Sequence, residues 1–390
     1  MDFRLGPESD AFRAQVREFL DEHLTVEVRE RAHETGTVHD WDFYRALGER
    51  GWIGASWPVE YGGQGRDPFE LTAMREELRL AGAPTDGMGT TLIVARTINH
   101  VGTEDLKREL LPRVLAGELL FALGYSEPDA GSDVAAAQTR AVRDGDEWVI
   151  NGQKMFTTLA HEAAYVFLLT RTNPDVPKHQ GLTMFLVPLD APGVEITPVH
   201  TLGGERTNVT YYEDVRVPDR LRVGEVDGGW DVMNVALAFE RGGMGLTESD
   251  RMWRQVVDWA STTERDGRRV IDDPLVRERL AQVAIDNEVA KLLAYRVSCV
   301  VASGGIPTVE GSMHKLFYAE RFLAAASELL DMLGPEGVLG HGADGAPVDG
   351  WVEHAYRHAP VTTIYGGTSE VQRNIIAERG LGLPRARRSR

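Results

Sequence analysis

Apolar positions follow three regimes along the chain. In the first third they recur with a helical period, and Phe12, Val16, Phe19 and Leu20 fall on one face. Asp40 is placed to cap a second helix that ends near Gly48 or Gly51. Asp67-Pro68-Phe69-Glu70 reads as a capping box with proline at the first helical position, and Thr103 as the cap of a helix running to about Ala116. From Leu119 the pattern changes to alternating and β-branched runs, which predict strands over 164–170, 182–187, 194–197 and 208–217. From Gly229 the helical period returns over 230–260, 274–303, 309–333 and 369–380; four long helices joined by loops suggest a bundle. The expected fold is α+β: an N-terminal α-helical domain over 1–118, a middle β-domain over 119–223 and a C-terminal four-helix bundle over 224–390.

The densest chemistry lies in 121–160. Tyr125-Ser126-Glu127-Pro128 closes an apolar run and opens a loop of small polar residues, Asp129-Ala130-Gly131-Ser132-Asp133. Such a loop exposes N–H groups and hydroxyls to a ligand at little steric cost. A strand over 141–143, a turn at Asp144-Gly145, a strand over 148–150 and a second turn at Asn151-Gly152 follow. The last strand ends in Phe156-Thr157-Thr158, where an aromatic ring beside two hydroxyls can stack on a flat ligand and bond its edge. Each piece alone also serves a purely structural role, because hairpins need Asn-Gly and cores need Phe.

Together these two stretches resemble the acyl-CoA dehydrogenase family. Its middle domain carries a Ser/Thr-Glu-Pro-x-Ala-Gly-Ser-Asp loop and an Asn-Gly-x-Lys-x-aromatic-x-Thr strand in this register. The order of helical domain, β-domain and bundle is also that of the family. The resemblance implies FAD, with Ser126 and Thr158 at the isoalloxazine edge, Phe156 on the ring and Tyr125 among the cofactor contacts. Ser132 falls among the cofactor and substrate contacts, near the pantetheine or phosphate part of coenzyme A. Thr368 and Glu370 touch the dinucleotide. Glu370 stands where Gln is common.

α,β-Dehydrogenation of an acyl thioester needs a carboxylate to remove the α proton, donors for the thioester oxygen and a hydride acceptor over Cβ. The commonest base of the family is the Glu of a Tyr-Glu-Gly-Thr motif, but here the chain reads Tyr365-Gly366-Gly367-Thr368. Isovaleryl-type members carry a Glu-Arg on the first bundle helix instead, and Glu240-Arg241 matches it. Glu240 is therefore the expected base. Gly366 retains a backbone N–H, one of the two donors that the family offers to the thioester carbonyl. Arg241 and Gly243 fall beside the acyl group; the glycines around Gly243 leave volume for a branched or ring-bearing substrate. A second departure lies at 259–270, where Thr263 and Asp266 replace an Arg and a Phe that reach the FAD of a neighbouring subunit. An anionic Asp there repels pyrophosphate. Unequal subunits are expected, as in the α2β2 actinobacterial steroid side-chain dehydrogenases, which Leu202–Tyr212 also resembles.

Composition narrows the remaining readings. A net charge of −18 excludes a nucleic-acid footprint. The single cysteine, Cys299, excludes an internal disulfide and a cysteine metal cluster; its apolar helical surroundings suggest a buried, inert thiol. No apolar run reaches the roughly 20 residues of a membrane span and no leader is evident, so a cytoplasmic location is expected. Three activities stay open: a dehydrogenase passing electrons to an electron-transfer flavoprotein, a non-catalytic partner subunit, and an oxygen-using oxidase or monooxygenase on the same fold. A homotetramer is the alternative to the α2β2 assembly.

Overall fold

The computed structural model describes residues 4–59, 62–241 and 248–385. Six helices come first: α1 (Pro7–His23), α2 (Val26–Thr35), α3 (Trp41–Glu49), α4 (Pro68–Leu80), α5 (Asp86–Val101) and α6 (Glu104–Leu115). The anticipated caps are present. The Asp40 carboxylate accepts from Phe43 N at 2.9 Å, Asp67 from Phe69 N at 2.7 Å, and Glu70 returns to Asp67 N at 3.0 Å. Thr103 Oγ1 accepts from Leu106 N at 3.4 Å. Each satisfies a donor that the first helical turn leaves without an intrahelical partner.

The sheet comprises β1 (Phe121–Gly124), β2 (Arg140–Asp144), β3 (Glu147–Lys154), β4 (Tyr165–Arg171), β5 (Leu182–Pro188), β6 (Val194–His200), β7 (Arg206–Pro218) and β8 (Arg222–Val223). Its order is β6-β7-β3-β2-β4-β5-β8, with β1 parallel to β4. The runs Val166–Leu169 and Met184–Val187 are fully buried, because helices and loops cover both faces there. One apolar core joins the first six helices to the sheet.

The C-terminal part holds α7 (Gly229–Arg241), α8 (Glu248–Thr262), the small hairpin of β9 (Glu264–Arg265) and β10 (Arg268–Arg269), α9 (Pro274–Ala302), α10 (Thr308–Leu333), α11 (Trp351–Thr362) and α12 (Ser369–Ile375). A second core packs α8, α9, α10 and α11 together.

Several expectations need correction. The expected helix over 230–260 is helical over 229–241 and from 248, with 242–247 outside the described residues, and α11 was not anticipated. Asn151-Gly152 is not a turn: β3 runs through it with a register shift between Ile150 and Gly152. Gly152 has φ 147° there, and a Cβ would meet Thr139 Cα at 2.7 Å, so the strand bulges where only glycine fits. Cys299 is exposed on α9, and so are Leu275 and Ile285; parts of the apolar pattern of this helix face outward. The replaced pair at 263 and 266 sits at the β9–β10 hairpin, whose turn places Asp266 at φ 52° and Gly267 at φ 74°.

Candidate functional site

The polar loop after β1 is held by a buried ion pair. Glu127 accepts from Lys154 Nζ at 2.7 Å and from the backbone N–H groups of Gln138 and Thr139 at 2.6 and 2.9 Å. Lys154, at the end of β3, also donates to Tyr125 O at 3.2 Å. Burial pulls this ammonium down to about 8, against the opposing pull of Glu127. The paired glutamate stays below the usual carboxylate range because Lys154 and backbone donors favour its anion over the cost of burial. The pair ties the loop to the strand end, and Met155 N donates to Ser126 O at 2.9 Å.

That junction forms a platform. Phe156 is 61% exposed and has φ 58°, a conformation that L residues adopt rarely. An aromatic ring held in solvent by a strained backbone is poorly explained by folding alone and fits a flat ligand above it. Thr158 is exposed, and its hydroxyl meets that of Thr207 at 3.0 Å. Ser126 is half-buried beside Phe156 in the fold, and Ser132 is exposed on the same loop. Ser126, Phe156 and Thr158 are therefore brought together. The Tyr125 hydroxyl is buried without a hydrogen-bond partner among the described residues. These features suit an isoalloxazine ring and its polar edge.

A second group converges from the bundle. Val232, Met233 and Ala236 bury one face of α7, and Glu240 follows Ala236 and Met233 on that face by helical spacing. α7 packs on α5, β5 and α10. Glu240 is half-buried and lies within electrostatic reach of Tyr125 and of Lys315 on α10. Lys315 Nζ donates to Gly367 O at 2.6 Å. Its burial lowers it to about 8, opposed by Glu240, Glu320 and Glu370. Gly366 and Gly367 have φ 63° and 88°. Their carbonyls both accept from Gln372 Nε2, at 2.8 and 3.2 Å. Among the described residues the Gly366 N–H donates to no backbone carbonyl. The cap of α12 is Thr368, which accepts from Val371 N at 3.3 Å; the Ser369 hydroxyl is buried without a partner among the described residues. Glu370 is exposed in the first turn of α12, and its own backbone N–H, with Thr368, holds its carboxylate below the usual range. Arg241 ends α7, while Gly243 lies outside the described residues.

Sequence reasoning missed Lys315 and Gln372, which pin the glycine turn, and gave no role to Lys154. A lysine inside the otherwise apolar face of a long helix, as at Lys315, was the available signal. Among the described residues no group of His, Cys, Asp or Glu is arranged for a metal ion, and no helix is long and apolar enough to cross a membrane.

Comparison with known proteins shows the family. Residues 6–118, 122–215 and 227–381 match the N-terminal, middle and C-terminal domain models of acyl-CoA dehydrogenases. The chain is 40% identical over 397 aligned positions to the acyl-CoA dehydrogenase FadE26 of Mycobacterium tuberculosis, covering 98% of each. It superposes on a chain of the ChsE4-ChsE5 complex of the same organism with a TM-score of 0.91 and 39% identity, over 99% of this chain and 100% of that one. A chain of the Tcur3481-Tcur3483 steroid ACAD gives a TM-score of 0.88 at 36% identity, over 99% and 100%. The chain belongs to the acyl-CoA dehydrogenase family, whose members are FAD-dependent oxidoreductases.

Proposed function

We propose that Glu240 is the base of an acyl-CoA α,β-dehydrogenation yielding a trans-2-enoyl-CoA. The observation that carries this reading is that Glu240 lies within electrostatic reach of Tyr125 and of Lys315, whose ammonium donates to Gly367 O in the glycine turn at 2.6 Å. Glu240 removes the α proton. The Gly366 N–H donates to the thioester carbonyl and stabilises the charge that develops on its oxygen. Lys315 and Gln372 hold the carbonyls of that turn, which fixes the direction of its N–H groups. Bound FAD would supply the hydride acceptor, with Phe156 against its ring, Ser126, Thr158 and Tyr125 at its edge, and Thr368 and Glu370 toward the dinucleotide. Ser132 meets the coenzyme A portion.

The acyl group is bulky, branched or steroid-sized. Gly366 puts no side chain there, and one similar structure is that of a steroid ACAD. The complete enzyme contains a second dehydrogenase-like subunit: Asp266 disfavours a neighbour's pyrophosphate, and a similar chain forms the ChsE4-ChsE5 complex. The working units divide near residues 118 and 223, the location is cytoplasmic, and electrons pass to an electron-transfer flavoprotein. The test is a thioester panel with a one-electron dye, using the chain alone and co-expressed with a related subunit. A product lighter by two hydrogens from a ring-bearing thioester supports the reading; preference for butyryl-CoA contradicts the wide pocket. Oxygen consumption without dye identifies an oxidase.

A further inference from the structure

The loop that carries Ser132 is open at its tip, where Asp129, Gly131 and Ser132 face solvent. Its root is closed, because the Glu127 carboxylate accepts from Gln138 N and Thr139 N. The Ser132 hydroxyl has no hydrogen-bond partner among the described residues. The next residue does have a tether: the Asp133 carboxylate meets Lys178 Nζ at 2.5 Å, the two side chains being 36% and 33% exposed.

Lys178 belongs to the connection between β4 and β5, residues 172–181, and that connection is firmly held. Arg171, the last residue of β4, is 5% exposed and turns all three guanidinium nitrogens to carbonyls. Nη1 donates to Lys178 O at 2.7 Å, Nη2 to Ala135 O at 2.6 Å and Nε to Ala137 O at 3.3 Å. One buried cation thus grips both loops from below. The connection also closes on itself: Thr172 N and Asn173 N donate to Gly181 O at 3.0 and 3.2 Å, and a Cβ on Gly181 would strike Asn173 O. Two further contacts reach the start of α7. Thr172 Oγ1 donates to Asp227 Oδ1 at 2.5 Å, and the His179 ring lies edge-on to Trp230 with centroids 4.7 Å apart. α7 is the helix that carries Glu240.

A tether orders a loose group only if its other end is fixed. Lys178 is fixed from the sheet and from α7, whereas the Ser132 tip projects into solvent, so order passes from Lys178 to Ser132. A loop held in its binding conformation loses less freedom when a ligand arrives. The pairing also shields the ammonium, which, with a carboxylate at 2.5 Å, presents little net charge to a phosphate.

We propose that Lys178 is a positioning residue for the coenzyme A portion of the substrate: its ion pair with Asp133 fixes the tip of the 129–133 loop, so that Ser132 is in place before the thioester binds. It acts through Asp133 and not by touching the phosphates. This rests on the acyl-CoA reading above and adds the group that orders its coenzyme A contact.

The test is calorimetric binding of an unreactive thioether analogue of an acyl-CoA to the FAD-loaded complex, beside steady-state kinetics. Lys178→Ala should raise Kd and KM about threefold to fivefold, the upper size for a partly exposed ion pair, at unchanged kcat and FAD content. Lys178→Arg should restore binding. Asp133→Asn, which keeps the shape of the side chain, should weaken binding by the same factor, and the double variant no further. Tighter binding in Asp133→Asn overturns the proposal, because a freed Lys178 then serves the phosphates directly. An unchanged Kd in Lys178→Ala, or a loss of FAD at unchanged Kd, overturns it as well while leaving dehydrogenation intact. A wild-type complex that neither binds nor oxidises any acyl-CoA overturns the acyl-CoA reading and the positioning role with it.

Discussion

Removing Glu127 exposes the cost of the lysine buried behind the flavin platform. In Glu127→Ala, Lys154 loses its 2.7 Å partner and keeps only Tyr125 O, while two backbone N–H groups lose their acceptor. Breaking a buried pair by deleting one partner costs about 3–5 kcal/mol, and each orphaned donor adds about 1–3 kcal/mol. Lys154 limits the first term by shedding its proton. Deprotonating an unperturbed lysine at pH 7 costs about 1.4 kcal/mol for each of about 3.5 pH units, near 5 kcal/mol. The variant then folds with a neutral lysine but unfolds with a charged one, so its unfolded state binds one more proton and its stability rises with pH. In the wild type Lys154 is charged in both states below about 8. Proton loss in the variant sets in only where its cost falls below that of the broken pair, from about pH 7 upward. The gap between wild type and variant should therefore narrow by up to about 1.5 kcal/mol between pH 6 and 8. Urea denaturation of both proteins at the two pH values measures it. A gap that is independent of pH would refute the reasoning. Lys154→Met should cost less, because Glu127 keeps its two backbone donors.

Other outcomes follow from single positions. Phe156→Gly should stabilise the flavin-free protein by about 1 kcal/mol, since φ 58° then costs nothing, and should weaken FAD retention at least tenfold; thermal shifts with and without FAD report both. Gly367→Ala should cost about 2 kcal/mol in urea denaturation, from a left-handed φ of 88° and a Cβ 2.7 Å from Gln372 Nε2. Glu205 and His358 form an ion pair at 2.5 Å that moves the glutamate down to about 2 and the histidine up to about 9. The raised histidine contributes fully below 6.5 and loses its contribution as pH rises through about 9, while the lowered glutamate contributes fully above 4.5 and loses its contribution as pH falls to about 2. Glu205→Gln should therefore lower Tm most near pH 5–6.5 and least above pH 9.

Much of this fold was legible because local rules and tertiary packing agree. Asp40, Asp67 and Thr103 cap helices where their spacing says they should, and Phe12, Val16 and Phe19 are buried together. The reading failed where tertiary contact overrides local signal. Asn151-Gly152 has the sequence of a turn, but pairing with β7 carries the strand through it. The outward side chains of α9 follow a helical period that has no internal partner to name, so Cys299 was placed inside. At the site, motifs pointed to Glu240 and the Ser126 loop but not to Lys315, which lies within electrostatic reach of Glu240. Its position depends on which helices pack together, and no local spacing encodes that.

Anaerobic mixing of the FAD-loaded complex with a ring-bearing acyl-CoA tests the assignment of Glu240 most directly. Flavin bleaching followed in a stopped-flow spectrometer isolates the step in which the α proton is lost. Glu240→Gln keeps the size of the side chain and removes its basicity, so bleaching should slow by about a hundredfold or more while thioester binding persists. Bleaching at the wild-type rate in Glu240→Gln would contradict the account.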